Sequence, residues 1–495
     1  MARIRLIARL TATAVALGAA CTAAVAAAPT DPQAAAQQPL QIMRVPLALD
    51  LAGRPLQDVP VMVADTGLDL DNPDIAGRLF SLPSAVPAPD PDGVGNLPMV
   101  PAGAHGWDLI GNAPPNTAFQ PDPDPSDVGG HGTMVAGVLG AQWNNGQGGA
   151  GVAPNARFIA MRTCWVDDNC YQYAQASAID WAADRGARVV SFSWLSGSGA
   201  DLEAGLRNAI TGHPNVLFVT IPSGNGGAFD ADPTDPMPCN LDAPNVLCVT
   251  TSAPDDGLDV GAFGRTSVDV AVPTANSVTT SADGGFVPTG SATSFASPTA
   301  AGVATILLGI DPTATAAEVR SAIIDSARKV PAWQGKSVSG GIVDAAAAVA
   351  LFQQRRGIPT PQVPGGPGPG SGPQPADRTA PSVSARRSGA SVFITLSEPA
   401  RVRLQVQRAS VGRRVGRACR SVTRVNRRRA ACTRWVGLGA RSVSLGAGRN
   451  RIAVPKRDPK GRLLRRATLH RLVIVATDAA GNAAPARSVT FRSAR

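Results

Sequence analysis

Residues 358–376 read IPTPQVPGGPGPGSGPQPA, and a segment of this kind cannot pack a core. Proline fixes φ and removes a backbone donor, and glycine brings no side chain to bury. The segment is a semi-extended, solvated spacer, so the chain must fold as separate bodies on its two sides. Charge divides at the same place. Residues 376–495 hold 28 Lys plus Arg against 4 Asp plus Glu, a balance of +24, whereas the remainder holds 18 against 32, a balance of −14. Opposite fields argue for two modules with different work. We therefore expect one body over 45–353, a linker over 354–380 and a second body over 381–495.

The N-terminus reads as a targeting segment. Arg3, Arg5 and Arg9 precede an apolar stretch over 10–20, and small residues follow to Ala28. This is the pattern of a signal peptide, expected over 1–28. Residues 29–44 are then a short segment before the first body, which would fold without an internal propeptide or with help in trans. Cys21 leaves with the signal, and six of the 7 cysteines remain. They stand as the close pairs Cys164/Cys170, Cys239/Cys248 and Cys419/Cys432. Local bridging is the simplest of the 15 connectivities open to six cysteines. Disulfides imply an oxidising, extracellular or envelope location, and no Cys-x-x-Cys or Cys/His spacing suggests a metal. After the signal, no run is long and apolar enough to span a bilayer.

Between 45 and 353, short β-branched apolar runs alternate with Ala-rich helical patterns. Strands are expected at Val59–Asp65 and at 158–163, 188–193, 216–221 and 246–251. Helices are expected at 132–140, 173–185, 294–308 and 316–327. Strands alternating with helices predict an α/β body with a doubly wound, mainly parallel sheet. Beyond the spacer, Ser391–Leu396, 401–407, 471–476 and 488–492 alternate with period two, and 476–482 reads as a turn. That predicts a second, smaller all-β, sandwich-like domain.

Three segments of the first body carry chemistry. Val61-Met62-Val63-Ala64-Asp65-Thr66-Gly67 is an apolar strand ending in a carboxylate and a turn. Gly130-His131-Gly132-Thr133 puts an imidazole at a helix start between residues small enough for close backbone approach. Thr293-Ser294-Phe295-Ala296-Ser297-Pro298 opens a long helix with a serine, and Pro298 is expected in its first turn. A serine hydroxyl becomes a useful nucleophile when an imidazole takes its proton and a carboxylate fixes the ring tautomer. His105, His213 and His470 lack such surroundings and read as surface or loop residues. The nucleophile lacks the Gly-x-Ser-x-Gly elbow of lipases and esterases.

In this order and at this spacing the segments resemble the subtilases, the subtilisin-like serine proteases. The resemblance runs from about Val59 to Ala350. It includes Gly186-Ala187-Arg188-Val189-Val190-Ser191-Phe192-Ser193, similar to the strand lining the family's substrate cleft. Ser223-Gly224-Asn225-Gly226, Pro244-Asn245-Val246 and Ser339-Gly340-Gly341-Ile342-Val343-Asp344-Ala345 are similar to further family signatures. The resemblance implies a subtilisin-like fold and a secreted endopeptidase cleaving proteins or peptides. Asp65, His131 and Ser294 would be its catalytic residues, and Asn225 with the Ser294 N–H its oxyanion hole. Ser193, Trp194, Leu195 and Gly224 would line the substrate site. The family pattern has Gly where Ala292 stands, which requires an ordinary backbone angle there. Trp194 and Leu195 depart from the family's open first pocket. The chemistry needs no cofactor. Asp122, Asp124 and Asp127 lie in a loop that binds calcium in some members, so structural calcium is an open expectation there. The alternative function is a decayed protease kept as a surface-binding protein.

The C-terminal body resembles immunoglobulin-like appendages of secreted bacterial proteins. Its charge suggests docking on an anionic cell-envelope polymer. Nucleic acid is not expected, because its arginines are not interleaved with aromatics and no binding motif is present.

Overall fold

The computed structural model describes residues 29–90, 95, 97–111, 120–165, 170–194, 200–234, 237–361, 381–397, 400–415, 418–446, 448–458, 462–464, 468–477 and 484–492. The expected signal peptide, Leu195, the turn at 478–482 and most of the linker lie outside the described residues. The chain divides into two compact units, Met1–Pro369 and Gly370–Arg495.

The strands of the first unit are β1 (Val59–Asp65), the small pair β2 (Val86–Pro87) and β3 (Met99–Val100), β4 (Gly106–Asp108), β5 (Ala156–Arg162), β6 (Val189–Ser191), β7 (Leu217–Thr220), β8 (Val246–Ser252) and β9 (Val270–Pro273). The hairpin β10 (Ser277–Thr280) and β11 (Phe286–Thr289) follows, then β12 (Arg328–Lys329) and β13 (Gly341–Ile342). Nine of them form one sheet in the order β12-β13-β9-β8-β7-β6-β1-β5-β4. Neighbours are parallel except at β12/β13. From β1 the chain adds strands first on the β5 side and then on the β6 side, so β1 marks the topological switch. In such sheets, sites form beyond the strand C-termini at that switch. Asp65 is the last residue of β1.

The helices are α1 (Gln38–Ile42), α2 (Val45–Ala52), α3 (His131–Gly140), α4 (Gln172–Ala183), α5 (Ala200–Gly212), α6 (Thr293–Ile310), α7 (Ala316–Asp325) and α8 (Ala345–Arg356). Successive residues of a strand point to opposite faces, and β1 shows the result. Val61 and Val63 join a core built with α2, α3 and α6, whereas Met62 and Ala64 join one built with α4 and α5. Both faces are apolar because both are covered. The expectation that no run is long and apolar enough to span a bilayer is corrected by α6, which passes by length and composition among the described residues; it is buried in the first of these cores.

The segment 29–44 is packed into the unit. Leu40 and Met43 are buried, and the Gln37 side chain accepts from Ala150 N at 2.7 Å and donates to Ala150 O at 2.9 Å. The two ends of the unit also meet: α2 lies on α8, where Gln353 Nε2 donates to Leu51 O at 3.0 Å and Ala52 O at 3.2 Å. Arg44 Nε donates to Asp344 Oδ1 at 3.0 Å. Helix α8 runs to Arg356, three residues beyond the boundary expected at 353.

The second unit is antiparallel. β14 (Val383–Ser388), β15 (Ser391–Leu396) and β19 (Gly448–Ala453) make one sheet. β16 (Ala400–Val415), β17 (Ala418–Ser421), β18 (Ala431–Leu445), β20 (Leu469–Thr477) and β21 (Arg487–Arg492) make the other. Val392, Ile394, Leu404, Ile474 and Phe491 share one apolar cluster between them. β16 pairs with β20 only as far as Arg408, but with β18 as far as Arg413. Past Arg408 the β16/β18 pair therefore continues as a ribbon. His470 corrects the surface reading. It is fully buried and stacked on Phe491, because alternation along β20 turns it inward with Leu472 and Ile474. Burial lowers its pKa.

Candidate active site

Asp65 ends β1 almost fully buried, and its Oδ1 is 2.7 Å from His131 Nδ1. The same oxygen accepts from Thr66 N at 2.9 Å. His131 is the first residue of α3, and contact is possible because the next residue is glycine. A Cβ on Gly132 would lie 2.1 Å from Gly67 O and 3.0 Å from Asp65 Cβ. The turn after β1 and the start of α3 thus touch through backbone, and no side chain fits between them.

Asp127 binds these two segments together. Its Oδ1 accepts from Thr66 Oγ1 at 2.7 Å and from Gly130 N at 2.7 Å, and its Oδ2 accepts from Thr133 N at 2.9 Å and from Thr133 Oγ1. Thr66 Oγ1 in turn accepts from Gly132 N at 2.9 Å. The residues on both sides of the Asp65–His131 contact are therefore held by one carboxylate. This corrects the cation reading of the loop. Asp122, Asp124 and Asp127 do not converge; each carboxylate accepts from backbone a few residues ahead. Asp122 Oδ1 takes Asp124 N at 2.8 Å, and Asp124 Oδ1 takes Ser126 N at 3.1 Å. Among the described residues no group of three His, Cys, Asp or Glu is arranged to hold a metal ion.

Ser294 is the second residue of α6, half-exposed, and α6 packs on α3. Ala292 precedes the helix in an extended conformation at φ −152°, so the methyl that replaces the family's glycine meets no strain. Because α6 begins at Thr293, Pro298 lies in the second turn and not the first. Proline there has no N–H for the carbonyl of Ser294. Ser193 Oγ supplies the missing bond, donating to Ser294 O at 2.8 Å. One turn further, Ser297 Oγ donates to Val219 O at 2.8 Å and lies 3.0 Å from Ser191 Oγ. The strand ends of β6 and β7 thereby seat the first turns of α6.

Asn225, exposed in the loop after β7, also reaches this helix. Its Oδ1 accepts from Thr293 N at 2.8 Å and Thr293 Oγ1 at 3.1 Å. With the oxygen spent on the helix start, the amide group presents Nδ2–H as its remaining donor function. Of the other expected cleft residues, Gly224 is half-exposed beside Asn225. Trp194 is buried in the core with its ring edge-on to Phe192, centroids 4.9 Å apart. Ser193 is buried and donates its hydroxyl to Ser294, bracing the start of α6.

The structure joins all three cysteine pairs as disulfides, Cys164–Cys170, Cys239–Cys248 and Cys419–Cys432. The first closes the loop after β5, where Thr163 N and Cys164 N donate to the Asp65 carbonyl at 2.9 and 3.1 Å. Arg162, opposite Asp65 in the β1/β5 register, donates to Asp108 Oδ2 at 2.7 Å in a buried ion pair. Burial raises the Asp108 pKa to about 6, against the lowering effect of N–H donors from Gly111 and Ile110 and of Arg162. A second carboxyl outside the site shifts in the same way. Asp74 is fully buried, its Oδ2 has no hydrogen-bond partner among the described residues, and its pKa is pushed up to about 6 by burial and by Asp31, against a bond from Asn145.

The profile of the subtilase family, peptidase S8, matches residues 57–354. Thermitase of Thermoactinomyces vulgaris is 29% identical over 303 residues, 61% of this chain and 92% of thermitase. The thermophilic serine proteinase of Bacillus sp. (strain AK1) is 30% identical over 272 residues, 54% of this chain and 56% of that protein. The extracellular basic protease of Dichelobacter nodosus is 30% identical over 336 residues, 62% and 53%. Among solved structures, a protease of Pseudoalteromonas arctica superposes with a TM-score of 0.51 at 26% identity, covering 66% of this chain and 99% of the other.

Proposed function

This chain belongs to the subtilase family of serine proteases, and on that premise we propose that it is a secreted endopeptidase with Asp65, His131 and Ser294 as its catalytic triad. It is a serine-type endopeptidase, and its substrates are proteins or peptides. The observation that carries the residue assignment is the 2.7 Å contact of His131 Nδ1 with buried Asp65. That contact fixes the tautomer with a proton on Nδ1 and leaves Nε2 basic.

In this reading Ser294 Oγ attacks the scissile carbonyl carbon as its proton passes to His131 Nε2. Asp65 stabilises the imidazolium without taking the proton. Negative charge on the carbonyl oxygen meets Asn225 Nδ2–H and the Ser294 N–H at the start of α6, where the helix dipole also favours an anion. His131 then protonates the leaving amine and the C–N bond breaks, leaving an ester on Ser294. Water, deprotonated by His131, hydrolyses that ester and returns the proton to Ser294.

Secretion is supported by the signal-like segment 1–28, by three disulfides and by relatives named as extracellular proteases. The C-terminal unit is proposed as an immunoglobulin-like module that keeps the enzyme at the anionic cell envelope, on the strength of its +24 balance. Calcium is proposed as a structural ion only. The group that suits it is Asp74, with Asp31 nearby: a buried carboxylate oxygen without a partner among the described residues is what a hard cation relieves.

A fluorophosphonate probe tests the assignment. It should label the mature protein at Ser294, and Ser294→Ala should abolish labelling. A folded protein that resists the probe would indicate a decayed site and a surface-binding role.

A further inference from the structure

The end of β17 and the turn that joins it to β18, residues 421–430, combine exposed cationic and exposed apolar side chains. It holds four arginines, Arg424, Arg427, Arg428 and Arg429, all exposed, and none forms an ion pair among the described residues. The sequence contains no Asp or Glu from 399 to 457, so nothing nearby in the chain neutralises them. Between them Val425 is 95% exposed and Val422 48% exposed, and Val411 on the same ribbon is 66% exposed.

The loop is built to hold this display. Asn426 is buried beneath it. Its Oδ1 accepts from Thr423 N at 2.7 Å, its Nδ2 donates to Ser421 O at 2.8 Å, and its carbonyl accepts from Arg429 N at 2.9 Å. Arg413 donates to the Arg429 carbonyl at 3.0 Å, and Cys419–Cys432 closes the base. Asn426 is the one buried residue of the turn, whereas Val425 faces out, the reverse of what water alone favours for an apolar side chain. Because the ribbon outruns β20, the turn stands clear of its own sheet.

We infer that residues 421–430 dock this protein on an anionic lipid bilayer, the guanidiniums meeting headgroup phosphates and Val425 and Val422 entering the interface. The inference rests on the envelope reading above and narrows it. An anionic polymer in water would satisfy the arginines but leave both valines wet. A bilayer provides phosphates at the level of the arginines and an apolar phase just beneath. Arginine also suits phosphate, which it engages with two parallel N–H bonds.

The test uses the full mature chain and sedimentation with vesicles, either phosphatidylcholine alone or an equimolar mixture with phosphatidylglycerol. We expect binding to the mixed vesicles only, weakening as salt is raised. Replacing Arg424, Arg427, Arg428 and Arg429 by Gln should weaken it by about 10²–10³-fold, roughly five-fold per charge. Val425→Ser should weaken it by about ten-fold with the salt dependence unchanged. Unchanged binding by the four-Gln variant would overturn the assignment of the loop. Val425→Ser binding like wild type, with soluble polyphosphate competing fully, would overturn the bilayer in favour of a polymer. Peptide hydrolysis, followed in parallel, should be the same in every variant. Its absence from the wild type would count against the protease reading and leave the vesicle result standing.

Discussion

Ser193 donates its hydroxyl hydrogen to the carbonyl of Ser294 across 2.8 Å. That carbonyl is the one a regular helix would bond to the residue four places on, and the residue there is Pro298. A serine just past β6 thus takes the place of a backbone donor that helix α6 lacks.

Ser193→Ala should leave the Ser294 carbonyl without a partner. We expect a loss of about 1–3 kcal/mol in stability and a fall in kcat with little change in KM. Restoring the helix donor should repair part of the damage, so Ser193→Ala with Pro298→Ala should be more stable than Ser193→Ala alone. Thermal unfolding of the four proteins in that cycle reads the coupling directly. Additive effects would show that the two residues do not share the carbonyl.

The bond of Asn225 to Thr293 and its proposed oxyanion role can be separated by substitution. Asn225→Ala should lower kcat by about 10²–10³-fold, the scale known for this donor in subtilisin itself. Asn225→Asp keeps the oxygen that caps Thr293 but replaces the donor with negative charge. It should preserve stability better than alanine and lower kcat more. A kinetic comparison of the two with one peptide substrate checks the order.

Asp127→Asn removes an acceptor from the clasp around Asp65 and His131. The fold should survive, since β1 and α3 are packed by their apolar faces. Misplacement of the pair should lower kcat by up to about 10²-fold and slow fluorophosphonate labelling in proportion, with KM little changed. Wild-type labelling kinetics would reduce Asp127 to a loop residue.

Asp74 makes a signed prediction about pH. Its folded pKa of about 6 lies above the ordinary 3.8, so the unfolded chain loses this proton first as pH rises. The folded state then holds more protons, and this group subtracts stability progressively between about pH 4 and pH 6, by at most about 3 kcal/mol. In chelator, Asp74→Asn should remove that part of the slope in urea midpoint against pH. Calcium should raise the melting temperature of the wild type above pH 6 and do little for Asp74→Asn. Equal responses in both proteins would exclude Asp74 as a ligand.

The sequence exposes the parts of this molecule that local pattern controls. β1 is legible to the residue, because an apolar β-branched run meets a turn at Asp65, and both His131 and Ser294 stand at helix starts marked by small residues. What pattern hides is decided by partners distant in sequence. Asp127 looks like a cation ligand in a Pro-rich acidic loop, since nothing local tells that Thr66 and Thr133 claim its oxygens. Ser193 reads as cleft lining until α6 is known to start early enough to strand a carbonyl at Ser294. Helix α5 carries only a short apolar stripe, Leu202, Leu206, Ala209 and Ile210, diluted by Asp201, Glu203, Gly205 and Arg207. The extent of β16 is obscured by a bulge between Val406 and Gln407, where period-two alternation breaks.

The clasp of α2 on α8, with Gln353 bonded to Leu51 and Ala52 and Arg44 to Asp344, closes the protease unit across 300 residues of chain. A polypeptide still being made cannot form it until its last helix is free. Completion of the body therefore waits on the C-terminal end of the domain, and a partly made chain has no closed protease unit.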